Sequence, residues 1–226
     1  MLDATDLAAR IDHTALKPET SAGQVVQLCH EAVEHRFAAV CVNPTRVRLA
    51  AEQLAGSPVA VCSVVGFPFG ASTSVVKAAE AERALRDGAT EIDMVIDIGR
   101  LRDGDQAAVR DDVAEARRVA AGAILKVIIE AAVLTPDEIV TASRLAVDGG
   151  ADFVKTSTGF HPAGGARLDD VRLIRQTAGG RARVKAAGGI RDLAAALAMI
   201  EAGADRLGSS SSVAIMRELR ETSTRS

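Results

Sequence analysis

Seven short Val/Ile-rich runs alternate with longer Ala/Leu-rich segments from one end of this 226-residue chain to the other. An eighth short run lies near the N-terminus, and no linker or composition shift divides the sequence. Together these observations predict an α/β fold, a single (β/α)8 TIM barrel with a short N-terminal helix, forming one domain over residues 1–226. A doubly wound open sheet is the competing architecture, because periodicity does not distinguish a closed sheet from an open one.

The expected strands are Ala38–Asn43, Val59–Val65, Glu91–Asp97, Leu125–Glu130, Phe153–Ser157, Arg183–Ala187 and Arg206–Ser209. Ile11–Thr14 supplies the eighth, behind a small helix over Asp3–Ala9. Ser21–Arg36 is helical by the 3/4 spacing of Val25, Leu28, Cys29, Ala32 and Val33, and Ser21 with Gln24 forms a capping-box pattern. A second helix opens at Thr135-Pro136-Asp137-Glu138, where threonine caps and proline takes the first helical position.

With 48% hydrophobic residues and a mean hydropathy of +0.14, the chain has ample material for a core. It has no Trp, no Tyr and five Phe, so that core is aliphatic and little aromatic surface remains for stacking bases. A formal charge of −3, with Lys and Arg scattered, excludes a nucleic-acid or anionic-membrane partner. Three cysteines, Cys29, Cys41 and Cys62, lack CxxC spacing and point to a reducing, cytoplasmic setting. The acidic start, Met1 to Asp6, has no signal-peptide pattern. The longest apolar stretch, Val59 to Phe69, is broken by Ser63, Gly66 and Pro68 and is too short to cross a bilayer.

Strand residues alternate faces with a period of two. In Glu91–Asp97, Ile92, Met94 and Ile96 suit the helix side, so Asp93 and Asp97 are expected to point inward. The same count turns Lys126, Lys155 and Lys185 inward. Four charges on consecutive strands, three of them lysines, build a poor core but a good reactive amine. Desolvation and a neighbouring ammonium both favour the neutral, nucleophilic form of a lysine. The alternative is a structural ion-pair network among Asp12, Asp93, Lys126 and Lys185.

Two glycine- and serine-rich loops, Gly188-Gly189-Ile190 and Gly208-Ser209-Ser210-Ser211, follow the seventh and eighth strands. Loops at those positions commonly hold phosphate, although they also serve as tight turns. Thr156–Phe160, directly after Lys155, offers hydroxyls either to a ligand or to the following helix. The four histidines form no HxH or HExxH pattern, and no nucleophile elbow, dinucleotide fingerprint or P-loop is present, so no metal or cofactor is expected. Cys41 sits where a nucleophile could lie, but buried cysteine is commonly core filler.

These residues resemble a known family. Ile11-Asp12-His13-Thr14-Ala15-Leu16, Cys41-Val42-Asn43-Pro44, Val64–Gly70, Glu91–Ile96, Leu125–Glu130, Phe153–Phe160, Val184–Arg191 and Gly208–Ser211 are similar to the motifs of deoxyribose-phosphate aldolases over nearly the whole chain. The resemblance implies a metal-independent class I aldolase that joins acetaldehyde and D-glyceraldehyde 3-phosphate reversibly. By motif, Lys155 would form the Schiff base, Lys185 would keep its amine neutral, and Asp93 would relay protons through a bound water. Asp12, Thr14, Lys126, Thr158, Gly188, Gly189, Gly208, Ser210 and Ser211 would bind substrate and its phosphate. Relatives further imply a homodimer. The chain departs from the family pattern at Asp97, Ala131, His161-Pro162 and Ser212, and it lacks the C-terminal Tyr of some relatives. A keto-acid or ketose-phosphate aldolase, and a non-catalytic phosphosugar-binding barrel, are the competing readings.

Overall fold

A computed structural model describes residues 3–223 of the chain, so the ends of the expected 1–226 domain lie outside the described residues. Eight parallel strands close into a barrel in sequence order, each hydrogen-bonded to the next and β8 to β1. They are β1 Ile11–Ala15, β2 Ala39–Val42, β3 Ala60–Val65, β4 Glu91–Val95, β5 Ile124–Ile128, β6 Phe153–Lys155, β7 Arg183–Ala187 and β8 Arg206–Ser209. Closure excludes the open sheet.

The helices are α1 Ala4–Ala8, α2 Ala22–His35, α3 Val47–Gln53, α4 Ser74–Arg86 and α5 Ile98–Arg102. They continue as α6 Gln106–Val119, α7 Pro136–Asp148, α8 Leu168–Ala178, α9 Leu193–Glu201 and α10 Ser212–Ser223. Among the described residues, no helix is long and apolar enough to cross a membrane.

Local chemistry sets the ends of these elements. Asp3 caps α1 by accepting the Asp6 backbone N–H at 2.7 Å. The Ser21–Gln24 and Thr135–Glu138 capping boxes both form, each with its reciprocal pair of bonds. The outward strand residues Val40, Val42, Ile92, Met94, Leu125, Val127, Val154 and Val184 pack under the helices in one continuous aliphatic core. A smaller apolar cluster, Leu16, Ala39, Cys41, Cys62 and Val64, fills the inside of the barrel at β1–β3. The charged residues occupy the other side of the interior.

One inward assignment fails. β4 ends at Val95, and Asp97 does not enter the barrel. Its carboxylate accepts the Arg100 backbone N–H at 3.1 Å, capping α5, and pairs with the Arg100 side chain. Gly70 packs against this point, its backbone so close to Ile96 that a Cβ would fall 1.8 Å from the Ile96 carbonyl oxygen. Period-two counting holds only while the strand lasts.

Candidate active site

Asp93, at the centre of β4, organises the charged half of the interior. Its Oδ2 accepts Lys155 Nζ and Lys185 Nζ, each at 2.7 Å, so the two amines meet on a single oxygen. Its Oδ1 accepts Lys126 Nζ at 2.8 Å and the Cys62 thiol at 3.1 Å. Adjacent parallel strands in register produce this convergence, since Asp93 pairs with Lys126 across β4–β5 and Lys155 with Lys185 across β6–β7.

A second carboxylate buttresses the first. Asp12 on β1 accepts Lys185 Nζ on Oδ2 at 2.5 Å and Arg206 on Oδ1 at 2.7 Å. Glu91, two residues before Asp93 and so on the same face, lies 2.6 Å from Lys126 Nζ and 3.7 Å from Arg206. Four cations therefore face three carboxylates in a buried space. Lys126 and Lys185 each contact two or more of those carboxylates, whereas Lys155 contacts only Asp93 and shares it.

The electrostatics follow from that pairing. Burial alone would raise the Asp93 pKa, but Lys126, Lys155 and Lys185 outweigh it and hold the carboxyl well below the usual range. Asp12 is held down in the same way by Lys185, Lys126 and Arg206 against its own burial. Burial would lower Lys126 and Lys185, yet their carboxylate neighbours keep both above the ordinary lysine value. Lys185 is thus a standing cation.

These shifts fix a pH dependence. The stabilisation from depressed carboxyls is complete above their unfolded value of 3.8 and is lost as pH falls below it. That from raised lysines is complete below 10.5 and is lost as pH climbs above it. Urea midpoints are expected to stay level between about pH 7 and 9. On the acid side they drop first as pH falls below 6.5 at His13, whose pKa burial lowers, and then at the carboxyls. They drop on the alkaline side as well, with Asp12→Asn softening the carboxyl part of the acid limb. A steady slope across that interval would assign the controlling titration to other groups.

Above the network opens a cleft of about 470 Å³ on the C-terminal side of the strands. Lys155 reaches its floor, while Asp93, Lys185, Lys126 and Asp12 lie buried beneath. Of the residues expected to bind substrate, Thr14, Thr158, Gly188, Gly189, Gly208 and Ser210 line the cleft. Ser211 is not part of the lining, and its backbone N–H is used on Ser209 Oγ at 2.9 Å. Lys17, Gln24 and Arg191 also line the cleft.

Two loops fix the shape of this opening. Gly188 has φ +87°, and a Cβ there would fall 2.9 Å from the Gly165 Cα, so the β7 loop needs glycine for both reasons. Thr158 is held by Glu130, which is buried with φ 53° and accepts the Thr158 hydroxyl at 2.5 Å and its backbone N–H at 3.2 Å. Its hydroxyl also accepts the Phe160 backbone N–H at 3.1 Å.

Sequence reasoning missed Glu91, Arg206 and Cys62. The signal for Glu91 was available, being the same period-two count applied one step back from Asp93. Arg206 begins its strand two residues before the inward-facing Gly208, where a partly exposed arginine reads equally well as surface. Cys62 resembles ordinary core filler until its neighbours are known.

Comparison with known proteins agrees with this geometry. Residues 7–218 match the family profile described as DeoC/LacD family aldolase. The chain is 55% identical over 212 residues to a deoxyribose-phosphate aldolase of Exiguobacterium sibiricum, covering 93% of this chain and 96% of the relative. It is 53% identical over 223 residues to that of Rhodospirillum rubrum, covering 99% and 93%. Among solved structures, QR15, an aldolase, superposes with a TM-score of 0.92 at 42% identity, covering 97% of this chain and 98% of the other. The Aeropyrum pernix deoxyribose phosphate aldolase, described as a unique tetramer, gives 0.91 at 33% identity, covering 97% and 93%. The barrel, the cleft above its strands and these similarities together make the chain a member of the DeoC/LacD aldolase family.

Proposed function

We propose that this enzyme reversibly cleaves 2-deoxy-D-ribose 5-phosphate to acetaldehyde and D-glyceraldehyde 3-phosphate, through a Schiff base on Lys155. The observation that carries the reading is the meeting of Lys155 and Lys185 on one oxygen of Asp93, with Lys155 alone of the three lysines lining the cleft. Family membership supplies the reaction class.

The unprotonated Lys155 amine attacks C1 of the open-chain sugar phosphate, and loss of water from the carbinolamine gives an iminium ion. That ion accepts the electrons of the C2–C3 bond as it breaks, while the C3 hydroxyl loses its proton and leaves as the aldehyde of glyceraldehyde 3-phosphate. The remaining two-carbon enamine is protonated at C2, and hydrolysis frees acetaldehyde and Lys155. Four cations against three carboxylates balance when one amine carries no proton, and Lys155 is the one without a carboxylate of its own. Lys185, held protonated by Asp12 and Asp93, is the standing charge that favours this state. Asp93 is ionised at rest and relays protons through a bound water, taking up each proton as it passes and giving it on to the next partner.

The phosphate is taken by the backbone of Gly188 and Gly189, by Gly208 and by Ser210, with Thr14 and Thr158 on the sugar side. Asp12 and Lys126 act on substrate through Lys185 and Asp93, since they lie beneath the cleft. Arg191 in the lining would serve a carboxylate as well as a phosphate, which keeps a keto-acid aldolase as the second reading. We also read the enzyme as a cytoplasmic homodimer that needs no metal or cofactor. The three free cysteines support the compartment, and sedimentation equilibrium separates a dimer from a tetramer like that described for A. pernix.

Borohydride reduction in the presence of acetaldehyde tests the central step. One ethyl group is expected on Lys155 by peptide mapping, with turnover of deoxyribose 5-phosphate and none of keto acids. An adduct on another lysine, or no adduct, would reject the assignment.

A further inference from the structure

Cys41 and Cys62 lie side by side on the inner wall, and the chemistry above uses neither sulfur. They are register partners on β2 and β3, both buried and both reduced. Adjacent strands run about 4.7–4.9 Å apart. That lies inside the roughly 4.4–6.8 Å Cα separation that a disulfide requires. The two sulfurs and a carboxylate oxygen of Asp93 fall within 4.8 Å of one another. Cys62 in turn donates to Asp93 Oδ1 at 3.1 Å and accepts from Lys126 Nζ at 3.3 Å.

Two sulfurs and a carboxylate also describe a site for a thiophilic cation, but the surroundings oppose one. Lys126, Lys155 and Lys185 already occupy Asp93, and a divalent ion brought there would meet the like charges of Lys126 and Lys185. A disulfide is neutral and meets no such repulsion.

We propose that Cys41 and Cys62 form an oxidation site, in which hydrogen peroxide converts the pair to a disulfide inside the barrel and thereby disturbs Asp93. Only the effect on rate rests on the Schiff-base reading; formation of the bond does not. Cys41 sulfur attacks one peroxide oxygen, the O–O bond breaks, and the departing hydroxide takes a proton to leave as water. Cys62 sulfur then attacks the Cys41 sulfenic acid, the S–O bond breaks, and the leaving hydroxide departs with the Cys62 proton as a second water. Two thiols and one peroxide give one disulfide and two waters.

The order of attack follows from the environments. Contact with the Cys62 side chain draws the Cys41 thiol below its usual value against its own burial, whereas burial pushes Cys62 up. Cys41 is itself buried, and Leu16 of the same apolar cluster lines the cleft, so the route proposed for peroxide, close to water in size, runs past Leu16. Cys29 is an internal control, since it sits on the helix side and burial pushes its thiol up to about 11. Oxidation removes the S–H donor from Asp93 Oδ1, so the oxygen that organises the three lysines loses a partner.

Native enzyme treated with peroxide, alkylated and mapped should yield a Cys41–Cys62 crosslinked peptide with Cys29 alkylated. The kcat on deoxyribose 5-phosphate should fall about tenfold, the scale of one lost hydrogen bond to a charged group, and dithiothreitol should restore it. Cys62→Ala should keep its own untreated rate under the same exposure. Failure to find the crosslink overturns the oxidation site. A crosslink without a change in kcat overturns the link to Asp93, as does a loss of rate that Cys62→Ala shares. In an enzyme inactive on deoxyribose 5-phosphate the crosslink would still form, so the two readings fail separately.

Discussion

Lys155→Leu is expected to lower kcat for cleavage of deoxyribose 5-phosphate by at least about 10⁴-fold, because it removes the atom that becomes covalently bound to substrate. Leucine fills much of the space, and the substitution also deletes the amine that lacks a carboxylate of its own. The fold should therefore survive, with a urea midpoint at or above that of the parent. Borohydride and acetaldehyde should leave the variant unlabelled. Activity within tenfold of the parent, in a folded variant, would move the nucleophile to another residue.

Asp93→Asn should damage both stability and rate. Its carboxylate compensates Lys126 and Lys185 beneath the cleft and accepts the Lys155 amine, so the amide leaves two buried ammonium groups facing only Asp12 and Glu91. Removing one partner of a buried ion pair typically costs about 3–5 kcal/mol. For comparison, Asp111→Asn at the exposed Arg110 pair should change stability by no more than about 0.5 kcal/mol. Denaturant titrations at constant m-value read both numbers. Equal midpoints for the two variants would mean that the interior network contributes nothing to holding the barrel together.

Much of this centre was legible before the fold was known, because a closed parallel barrel turns alternation into convergence. Asp93, Lys126, Lys155 and Lys185 each follow from a count of two along their own strand, and the register of β4 to β7 then brings their side chains together. The count fails at Asp97, where the strand has ended at Val95 and the carboxylate caps a helix instead. It was not carried back to Glu91, and nothing in a linear pattern marks Arg206 or Cys62 as partners of Asp12 and Asp93. Those contacts join positions 194 and 31 residues apart, a relation that exists only once the barrel is closed. The cleft lining divides the same way. Gly188, Gly189 and Ser210 follow from their place after the last two strands, whereas Lys17 and Gln24 arrive from the segment after β1, which only closure sets beside β8.

The Glu130–Thr158 clasp separates the part of this opening that tolerates redesign from the part that does not. A carboxylate fixed in the left-handed backbone region, out of solvent and bonded to both the hydroxyl and the amide of Thr158, leaves that wall no room to adapt to a bulkier aldehyde. Thr20, Gln24 and the half-exposed Phe160 side chain border the same space, and the clasp reaches only the Phe160 backbone N–H. A library seeking unnatural acceptors belongs at those three positions, with Glu130 left alone.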